Sequence, residues 1–285
     1  MYSDKNIIVV IGATGNQGSS VAHTFLHLPN WHVRCVSRNP SSPNSQALAA
    51  LGAEVVQGDL SDPASLSQAF ESANAIFVNT DFWTLYRGEG KASEEAFDQE
   101  VTYGRNAAVA AATVPSLRRL VYSALPPMKK HSKGKYSQSY HCDTKAAIVE
   151  YIATEQPALA RKHPISIWAR IIRIREDRLP IIDAKVSTGL FVRALVEDEA
   201  ADTKLLAYDS CLSVREMVDL WSAASRQEAS LVEASADFMH RQLGITLEVL
   251  DSPCFISEFG YVGGVDGAIE PFQLKRKIKT KPFEE

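Results

Sequence analysis

Three glycines with a regular spacing follow an apolar run near the start of the chain. Residues 7–11 are β-forming and include no polar side chain, which is typical of a strand buried on both faces of a parallel sheet. Gly12, Gly15 and Gly18 come next, and apolar residues at helical spacing follow them. Glycine permits a tight turn and lets an anion approach the N–H groups at the positive end of a helix. A strand, a glycine turn and a helix in this order predict a cradle for the pyrophosphate of a dinucleotide, although the glycines alone would also suit a plain turn.

The end of the predicted second strand carries another group suited to phosphate. Residues 32–37 predict this strand, and Arg38 follows it. In a dinucleotide-binding fold, an acidic residue here binds the free 2′-hydroxyl of NAD, whereas an arginine accommodates the 2′-phosphate of NADP. No acid stands here, the guanidinium of Arg38 matches the geometry of a phosphate, and Ser37 offers a hydroxyl donor. We therefore predict NADP(H) as the cofactor; the alternative is an arginine that is simply solvated.

Three further strand ends supply candidate cofactor-binding residues. Asp59 and Leu60 follow the predicted third strand, where they would lie beside the adenine; an Asp59 that only caps the turn is the alternative. Asn79 and Thr80 end the fourth strand, and Ser123 ends the fifth. Because ligands bind outside the carboxyl ends of the strands in open α/β sheets, we expect these side chains at one edge of the sheet.

Lys145 is the second basic candidate. Residues 142–152 predict a helix with Asp143 as its N-cap, which places Lys145 in the first turn. A lysine is unfavourable beside the positive end of a helix, so this position indicates a partner such as a ribose hydroxyl or a phosphate. The alternative is a lysine whose flexible side chain reaches water.

The order of the elements predicts the fold that positions these groups. Five strands alternate with helices within the first 123 residues, which is the pattern of a doubly wound parallel α/β sheet of Rossmann type. We expect residues 1–170 to form this NAD(P)-binding domain. Residues 171–285 are expected to form a smaller, shortened C-terminal lobe that meets the substrate or a partner.

The composition limits the partners. The chain has 285 residues, is 45% hydrophobic and carries a net charge of −4, which argues against direct nucleic-acid binding. No apolar run approaches the ~20 residues of a membrane span and no signal-like segment opens the chain, so the sequence predicts a cytoplasmic protein, or one shared with the nucleus, and no membrane partner. The four cysteines lie far apart, and no metal site is expected. The sequence leaves open whether the chain forms a homodimer.

Together these residues resemble the NmrA-like family, atypical members of the short-chain dehydrogenase/reductase superfamily, over nearly the whole chain. The resemblance is carried by residues 12–18, 37–40, 52–59 and 80–83, by Lys145 with Glu150 and Tyr151, and by residues 257–261. It implies that NADP(H) binds through the glycine turn and the arginine after the second strand, that is, through Gly12, Thr14, Gly15, Asn16, Gln17, Gly18 and Arg38. It also implies that Lys145 contacts the nicotinamide ribose.

The chain departs from the superfamily at the general acid. Reductases of the superfamily use Tyr-x-x-x-Lys, in which the lysine lowers the pKa of the tyrosine and the tyrosine passes a proton to the substrate. In this chain His141 stands four residues before Lys145, and Tyr140 is one place out of register. Because imidazole titrates near neutrality, His141 is the candidate proton donor beside Lys145, unless another group supplies the proton.

The resemblance therefore supports two functions. The first is an NADP(H)-dependent oxidoreductase that acts on a small organic substrate in a specialised metabolite pathway. The alternative is a non-catalytic NADP(H)-sensing regulator that binds a transcription factor or a signalling protein. A degenerate relative that binds nothing is the third case.

A second departure concerns the substrate side. Residues 165–170 should lead into a long segment over the nicotinamide, yet residues 178–183 already resemble the far side of that segment. A family segment is therefore expected to be missing near residues 170–178. Either the pocket is open or an exon has been lost, and an open pocket excludes water and positions a substrate poorly.

Overall fold

One parallel sheet organises the chain. The computed structural model describes residues 5–162 and 178–283, and its first strands are β1 (Asn6–Ile11), β2 (Trp31–Ser37), β3 (Glu54–Gln57), β4 (Ala75–Val78) and β5 (Arg119–Tyr122). Their order across the sheet is β3-β2-β1-β4-β5, and every neighbouring pair is parallel. The predicted doubly wound α/β fold is confirmed. The strand order reverses at β1 and β4, and such folds bind ligands beside the carboxyl ends of the strands at that point.

Helices and two apolar clusters cover the faces of this sheet. The helices of this part are α1 (Asn16–Leu26), α2 (Pro43–Ala50), α3 (Pro63–Ala69), α4 (Ser93–Ala112), α5 (Met128–His131), α6 (Tyr140–Glu155) and α7 (Pro157–Lys162), with a π-helical turn at Thr84–Gly88. Alternate residues of β1 enter different clusters, Ile8 and Val10 one and Val9 and Ile11 the other. The strand is thus buried on both faces, as its apolar sequence predicts.

The C-terminal elements are shorter. They are β6 (Leu179–Ile181), α8 (Thr188–Glu197), β7 (Lys204–Leu205), β8 (Ser210–Leu212), α9 (Val214–Ser225), α10 (Ala236–Leu243), α11 (Leu247–Phe259) and β9 (Ala268–Ile269), with a 3-10 turn at Pro271–Gln273. β6 pairs with β8 in an antiparallel manner, and β7 pairs with β9 in parallel. Among the described residues, no helix is both long and apolar enough to cross a membrane.

Helix α8 packs against α1 of the sheet. A Cβ at Gly189 would stand 2.1 Å from Thr24 Oγ1, so this glycine is needed for the close approach of the two helices. The hydroxyl of Ser20 accepts from the Gly189 N–H at 2.9 Å, and Phe191 is fully buried in the core. The division into two parts near residue 170 stays a prediction. The segment expected to be missing near residues 170–178 lies outside the described residues, except for Arg178.

Helix α6 begins earlier than its sequence pattern predicts. Ser139 is its N-cap, so the prediction that Asp143 caps the helix is wrong. The backbone N–H groups of Tyr140 and His141 donate to the carboxylate of Glu248 on α11, at 3.2 and 2.9 Å. A carboxylate from a distant helix thus satisfies the first N–H groups of α6, and no local pattern reveals such a cap.

Candidate functional site

A cavity of about 410 Å³ opens at the carboxyl edge of the sheet, where strands β1 to β4 end. Seven of the predicted site residues line it: Gly12, Thr14, Gly15, Arg38, Asp59, Leu60 and Asn79. The sheet thus brings together groups that are up to 67 positions apart in the sequence (79 − 12). The position agrees with the rule that ligands of open α/β sheets bind at the carboxyl ends of the strands.

The glycine turn forms one wall of the cavity. Gly12 has a φ of +69°, which side chains other than glycine rarely adopt, and the N–H of Gly15 donates to Gly12 O at 2.9 Å. A Cβ at Gly18 would stand 2.2 Å from Gly12 O, so only glycine lets α1 start directly against the turn. Within the described chain, no side chain caps the start of α1 and no acid stands in its first turn. The positive end of this helix is therefore available to an anion.

Asn16 and Gln17 occupy the first turn of α1 but do not line the cavity. Asn16 is exposed, and Gln17 is half-buried. The Oε1 atom of Gln17 is buried and has no hydrogen-bond partner among the residues that the structure describes. Buried amide oxygens are almost always hydrogen-bonded, so an oxygen without a partner in the first turn of α1 is unusual.

Arg38 stands on another wall, on a loop held from within by serine hydroxyls. Its side chain is exposed and makes no hydrogen bond or ion pair to any described residue. Beneath the loop, the buried Ser45 hydroxyl donates to Ser37 Oγ at 2.8 Å and accepts from Ser42 Oγ at 2.9 Å. Ser37 and Ser42 both line the cavity. A free guanidinium beside two hydroxyls is a set of donors suited to a phosphate group.

Asp59 and Leu60 close the side of the cavity next to β3. The carboxylate of Asp59 accepts from the backbone N–H of Ser61 at 2.8 Å and from its hydroxyl at 2.7 Å. Leu60 O accepts from the side-chain amide of Asn106 at 2.8 Å. Asp59 therefore caps its turn and also lines the cavity, so the two alternatives drawn from the sequence are compatible.

The segment after β4 supplies a wall that the sequence pattern did not reveal. Thr84, Leu85 and Glu89 line the cavity from the π-helical turn and its end, and Tyr103 lines it from α4. The hydroxyl of Thr84 donates to Asp81 Oδ2 at 2.6 Å and helps to fix this turn. A π-helical turn has no sequence signature, and the only available signal was the position of these residues just after a strand end.

Lys145 has a partner within the protein. Its Nζ donates to Glu100 Oε1 at 2.6 Å, to Thr80 O at 2.8 Å and to Thr80 Oγ1 at 3.1 Å. Glu100 lies on α4 and is fully buried. Because α6 begins at Tyr140, Lys145 lies in the second turn and not in the first as predicted. The partner that its position indicated is, among the described residues, a carboxylate with a backbone carbonyl and a hydroxyl.

His141 is held by the C-terminal part of the chain. Its Nδ1 donates to Glu248 Oε1 at 2.6 Å, its Nε2 lies 3.3 Å from Ser252 Oγ, and only 5% of the residue is exposed. Burial alone lowers the pKa of the imidazole, but Cys142 and Glu248 raise it, to about 10 overall. His141 is therefore an imidazolium at neutral pH. It does not line the cavity, although its ring lies against Trp83 with the centroids 4.9 Å apart.

Two other predicted residues lie behind the cavity wall. Thr80 is 3% exposed and shares a hydrogen bond of 3.0 Å with the hydroxyl of Tyr122. Ser123 is 2% exposed, and its N–H donates to Val78 O at 2.9 Å. The predicted residues that do not line the cavity are thus Asn16, Gln17, Gly18, Thr80, Ser123, His141 and Lys145. Within residues 5–162 and 178–283, no group of three or more His, Cys, Asp or Glu side chains is arranged to hold a metal ion.

The family follows from the sequence of the sheet domain. Residues 4–159, more than half of the chain, match the sequence model of the NmrA-like family. The chain belongs to the NmrA-like family. The resemblance inferred from the glycine turn, Arg38 and Lys145 is therefore confirmed. Within this NmrA-like chain, the matched region contains every residue predicted for the site.

Curated relatives match just under half of the NmrA-like chain. An NmrA-like family domain-containing oxidoreductase of Aspergillus hancockii is 37% identical over 135 residues, which are 47% of this chain and 38% of that protein. A protein of the same description from Aspergillus japonicus is 40% identical over 133 residues, or 46% of this chain and 38% of that protein. The match thus spans about two fifths of the length of these relatives.

Solved structures share the fold of the NmrA-like chain. NmrA, a negative transcriptional regulator, in complex with NADP has a TM-score of 0.67 at 16% identity, with 91% of this chain and 82% of that chain covered. AtPrR2 with NADP+ and (+)pinoresinol has a TM-score of 0.72 at 14% identity, with 99% and 97% covered. At these identities the likeness establishes the fold alone. The same fold therefore carries both a regulator and a complex with a small organic molecule.

Proposed function

We propose that this NmrA-like chain binds NADP(H) and transfers a hydride between the cofactor and a small organic substrate. The observation that carries this proposal is the cavity at the carboxyl edge of the sheet, where the glycine turn meets Arg38, whose side chain has no partner among the described residues. The relatives named as oxidoreductases support the reaction class. The NADP complexes of the same fold support the cofactor.

The residues present fit a dinucleotide with a 2′-phosphate. The turn at Gly12 and the uncapped start of α1 offer N–H donors to the pyrophosphate. Arg38 with Ser37 and Ser42 would hold the 2′-phosphate. Asp59 and Leu60 would meet the adenine, while Asn79, Thr80, Ser123 and Lys145 would serve the nicotinamide side. NADPH supplies the hydride when it is bound.

His141 is the candidate proton donor in this proposal. With the pKa of its imidazole near 10, it holds a proton at neutral pH, and the acceptor of its Nδ1 proton is Glu248. Its Nε2 is the ring nitrogen that faces away from this carboxylate, 3.3 Å from the hydroxyl of Ser252. Proton delivery would therefore pass from Nε2, directly or through Ser252.

One observation favours the second candidate, an NADP(H)-sensing regulator with no turnover. Both side chains expected to act in catalysis are held by buried carboxylates, Lys145 by Glu100 and His141 by Glu248. Such a regulator would bind a transcription factor or a signalling protein through surfaces that respond to the bound cofactor.

The proposal also includes a cytoplasmic location, which a regulator would share with the nucleus, and a homodimer.

Titration with NADPH, NADP+ and NADH tests the cofactor assignment. Arg38→Ala should weaken NADPH binding roughly 30- to 150-fold, because a charge-assisted bond to phosphate contributes about 2–3 kcal/mol. The binding of NADH, which has no 2′-phosphate, should change little, and calorimetry measures both. If the unchanged protein binds none of the three, the proposal is wrong. If Arg38→Ala weakens NADH and NADPH equally, the assignment of the 2′-phosphate is wrong.

Turnover separates the two candidate functions. Loss of NADPH absorbance with a panel of small carbonyl and quinone compounds is expected for the oxidoreductase, and His141→Phe should remove it while NADPH still binds. Tight cofactor binding without turnover would identify the regulator, together with a partner protein that is recovered in a pull-down only when one redox form of the cofactor is present.

A further inference from the structure

Glu100 is a buried acid close to the cavity that the sequence pattern did not single out. Its side chain is fully buried on α4, and Oε1 accepts from Lys145 Nζ at 2.6 Å. The second oxygen, Oε2, is buried and has no hydrogen-bond partner among residues 5–162 and 178–283. A buried carboxylate is costly unless its charge is balanced, and the ammonium of Lys145 is the counter-ion that lies against Glu100.

The packing of two helices brings this pair together. A Cβ at Gly104 would stand 2.4 Å from Ile148 Cδ1, so α4 and α6 approach each other where Gly104 leaves room. Glu100 lies one turn before Gly104 on α4, and Lys145 lies one turn before Ile148 on α6. The two charged side chains therefore meet one turn from this close approach.

The pair also borders the cavity. Lys145 Nζ donates to both the carbonyl and the hydroxyl oxygen of Thr80. Thr80 stands directly between Asn79 and Asp81, and both of these residues line the cavity. The ion pair therefore lies directly behind the part of the cavity wall that follows β4. Charges in this place act through a buried environment, where solvent screens them less than at the surface.

We propose that Glu100 balances the charge of Lys145 and thereby sets the relative affinity of the site for NADP+ and NADPH. This inference rests on the proposed binding of NADP(H). The oxidised nicotinamide ring carries one positive charge that the reduced ring lacks. The salt bridge between Glu100 and Lys145 adds no net charge at this end of the site. Without the carboxylate, the remaining ammonium repels the oxidised ring and leaves the reduced ring unaffected.

A purely structural role for Glu100 leads to a different expectation. If the carboxylate only stabilises the packing of α4 on α6, its loss should weaken NADP+ and NADPH by the same factor. The ratio of the two dissociation constants, Kd for NADP+ over Kd for NADPH, therefore distinguishes the roles. Adenosine 2′,5′-bisphosphate, which has no nicotinamide, reports whether a variant still folds and binds the adenosine end.

The experiment compares Glu100→Gln with the unchanged protein by calorimetry at pH 6. Glu100→Gln should raise the ratio about ten-fold, as expected for one charge acting through a partly buried site. Binding of the bisphosphate should stay the same. The double variant Glu100→Gln with Lys145→Met is neutral again and should return the ratio to that of the unchanged protein. A role of Glu100 in helix packing alone does not predict this return of the ratio.

A matched control removes the same charge elsewhere on α4. Glu95 pairs with Lys91 at the surface, at 3.0 Å, and Glu95→Gln should leave the ratio within about two-fold because solvent screens that charge. If Glu100→Gln no longer binds the bisphosphate, Glu100→Asp replaces it. That shorter carboxylate should shift the ratio in the same direction by a smaller factor.

The outcomes separate the two proposals. An unchanged ratio in a Glu100 variant that binds the bisphosphate overturns the role of Glu100 and leaves the cofactor assignment standing. A double variant that keeps the raised ratio also overturns it. If the unchanged protein binds neither redox form and no bisphosphate, the cofactor assignment and this inference are both wrong.

Discussion

The carboxyl edge of the sheet has two sides that differ in how their charged groups are satisfied. On the open side, around Gly12, Arg38 and Asp59, the cavity is accessible and Arg38 has no partner among the described residues. On the closed side, Lys145 and His141 are each paired with a buried carboxylate. An open side with unpaired donors is prepared for a ligand. On the closed side each of these charged groups has a counter-ion, so their charges also contribute to folding, although Glu100 Oε2 has no hydrogen-bond partner among the described residues.

The difference follows from the cost of burial. Arg38 lies in solvent, where an unpaired guanidinium is stable, so the chain can leave it free. Glu100 and Glu248 are fully or almost fully buried, and an isolated charge in such a place is strongly unfavourable. Removal of Glu248 should therefore act mainly on stability, and removal of the Arg38 guanidinium mainly on binding.

Removing Glu248, the acid that pairs with His141 on the closed side, should give the largest effect on stability. Glu248→Gln should lower the free energy of unfolding by about 3 kcal/mol, because it leaves the buried imidazolium of His141 without its counter-ion. Urea unfolding with an unchanged m-value measures the loss. Glu150→Gln on α6, the helix that carries His141, is the matched control; its pair with Lys130 is exposed, so it should change the stability little. Equal losses in the two variants would show that the closed side does not depend on this pair.

The pH dependence of stability should report the same pair. The pKa of His141 is raised from 6.5 to about 10, so its contribution to stability is fully present below pH 6.5 and is lost as the pH rises through 10. Urea midpoints at intervals from pH 6.5 to 10 should fall, and the fall should be shallower in Glu248→Gln. A parallel fall in both proteins would place the titrating group elsewhere.

The sequence predicted the open side well and the closed side poorly. The strand before Gly12 and the arginine after β2 are local patterns, so they predicted the turn, the fold and the place of Arg38. The acids that hold Lys145 and His141 lie 45 and 107 residues away, on helices whose packing no short pattern encodes. The same distant acid at the start of α6 explains why Asp143 was wrongly predicted as the cap.

The smallest predicted effect lies on the open side, beneath Arg38. Ser45→Ala removes the buried hydroxyl that links Ser37 and Ser42, and it should cost about 1 kcal/mol of stability, as the loss of a buried hydrogen-bond group does. Because both linked serines line the cavity beside Arg38, NADPH binding should also weaken, by about three-fold. NADH binding should weaken less, because it lacks the phosphate that this loop would hold.

A matched serine tests whether this small effect belongs to the open side. Ser67→Ala removes an exposed hydroxyl that donates to Pro63 O within α3, and it should change neither stability nor cofactor binding measurably. If Ser45→Ala lowers stability but leaves NADPH and NADH binding equal to those of the unchanged protein, the serines only support the loop. Arg38 would then bind phosphate without an ordered set of hydroxyls, and the open side would owe its selectivity to the guanidinium alone.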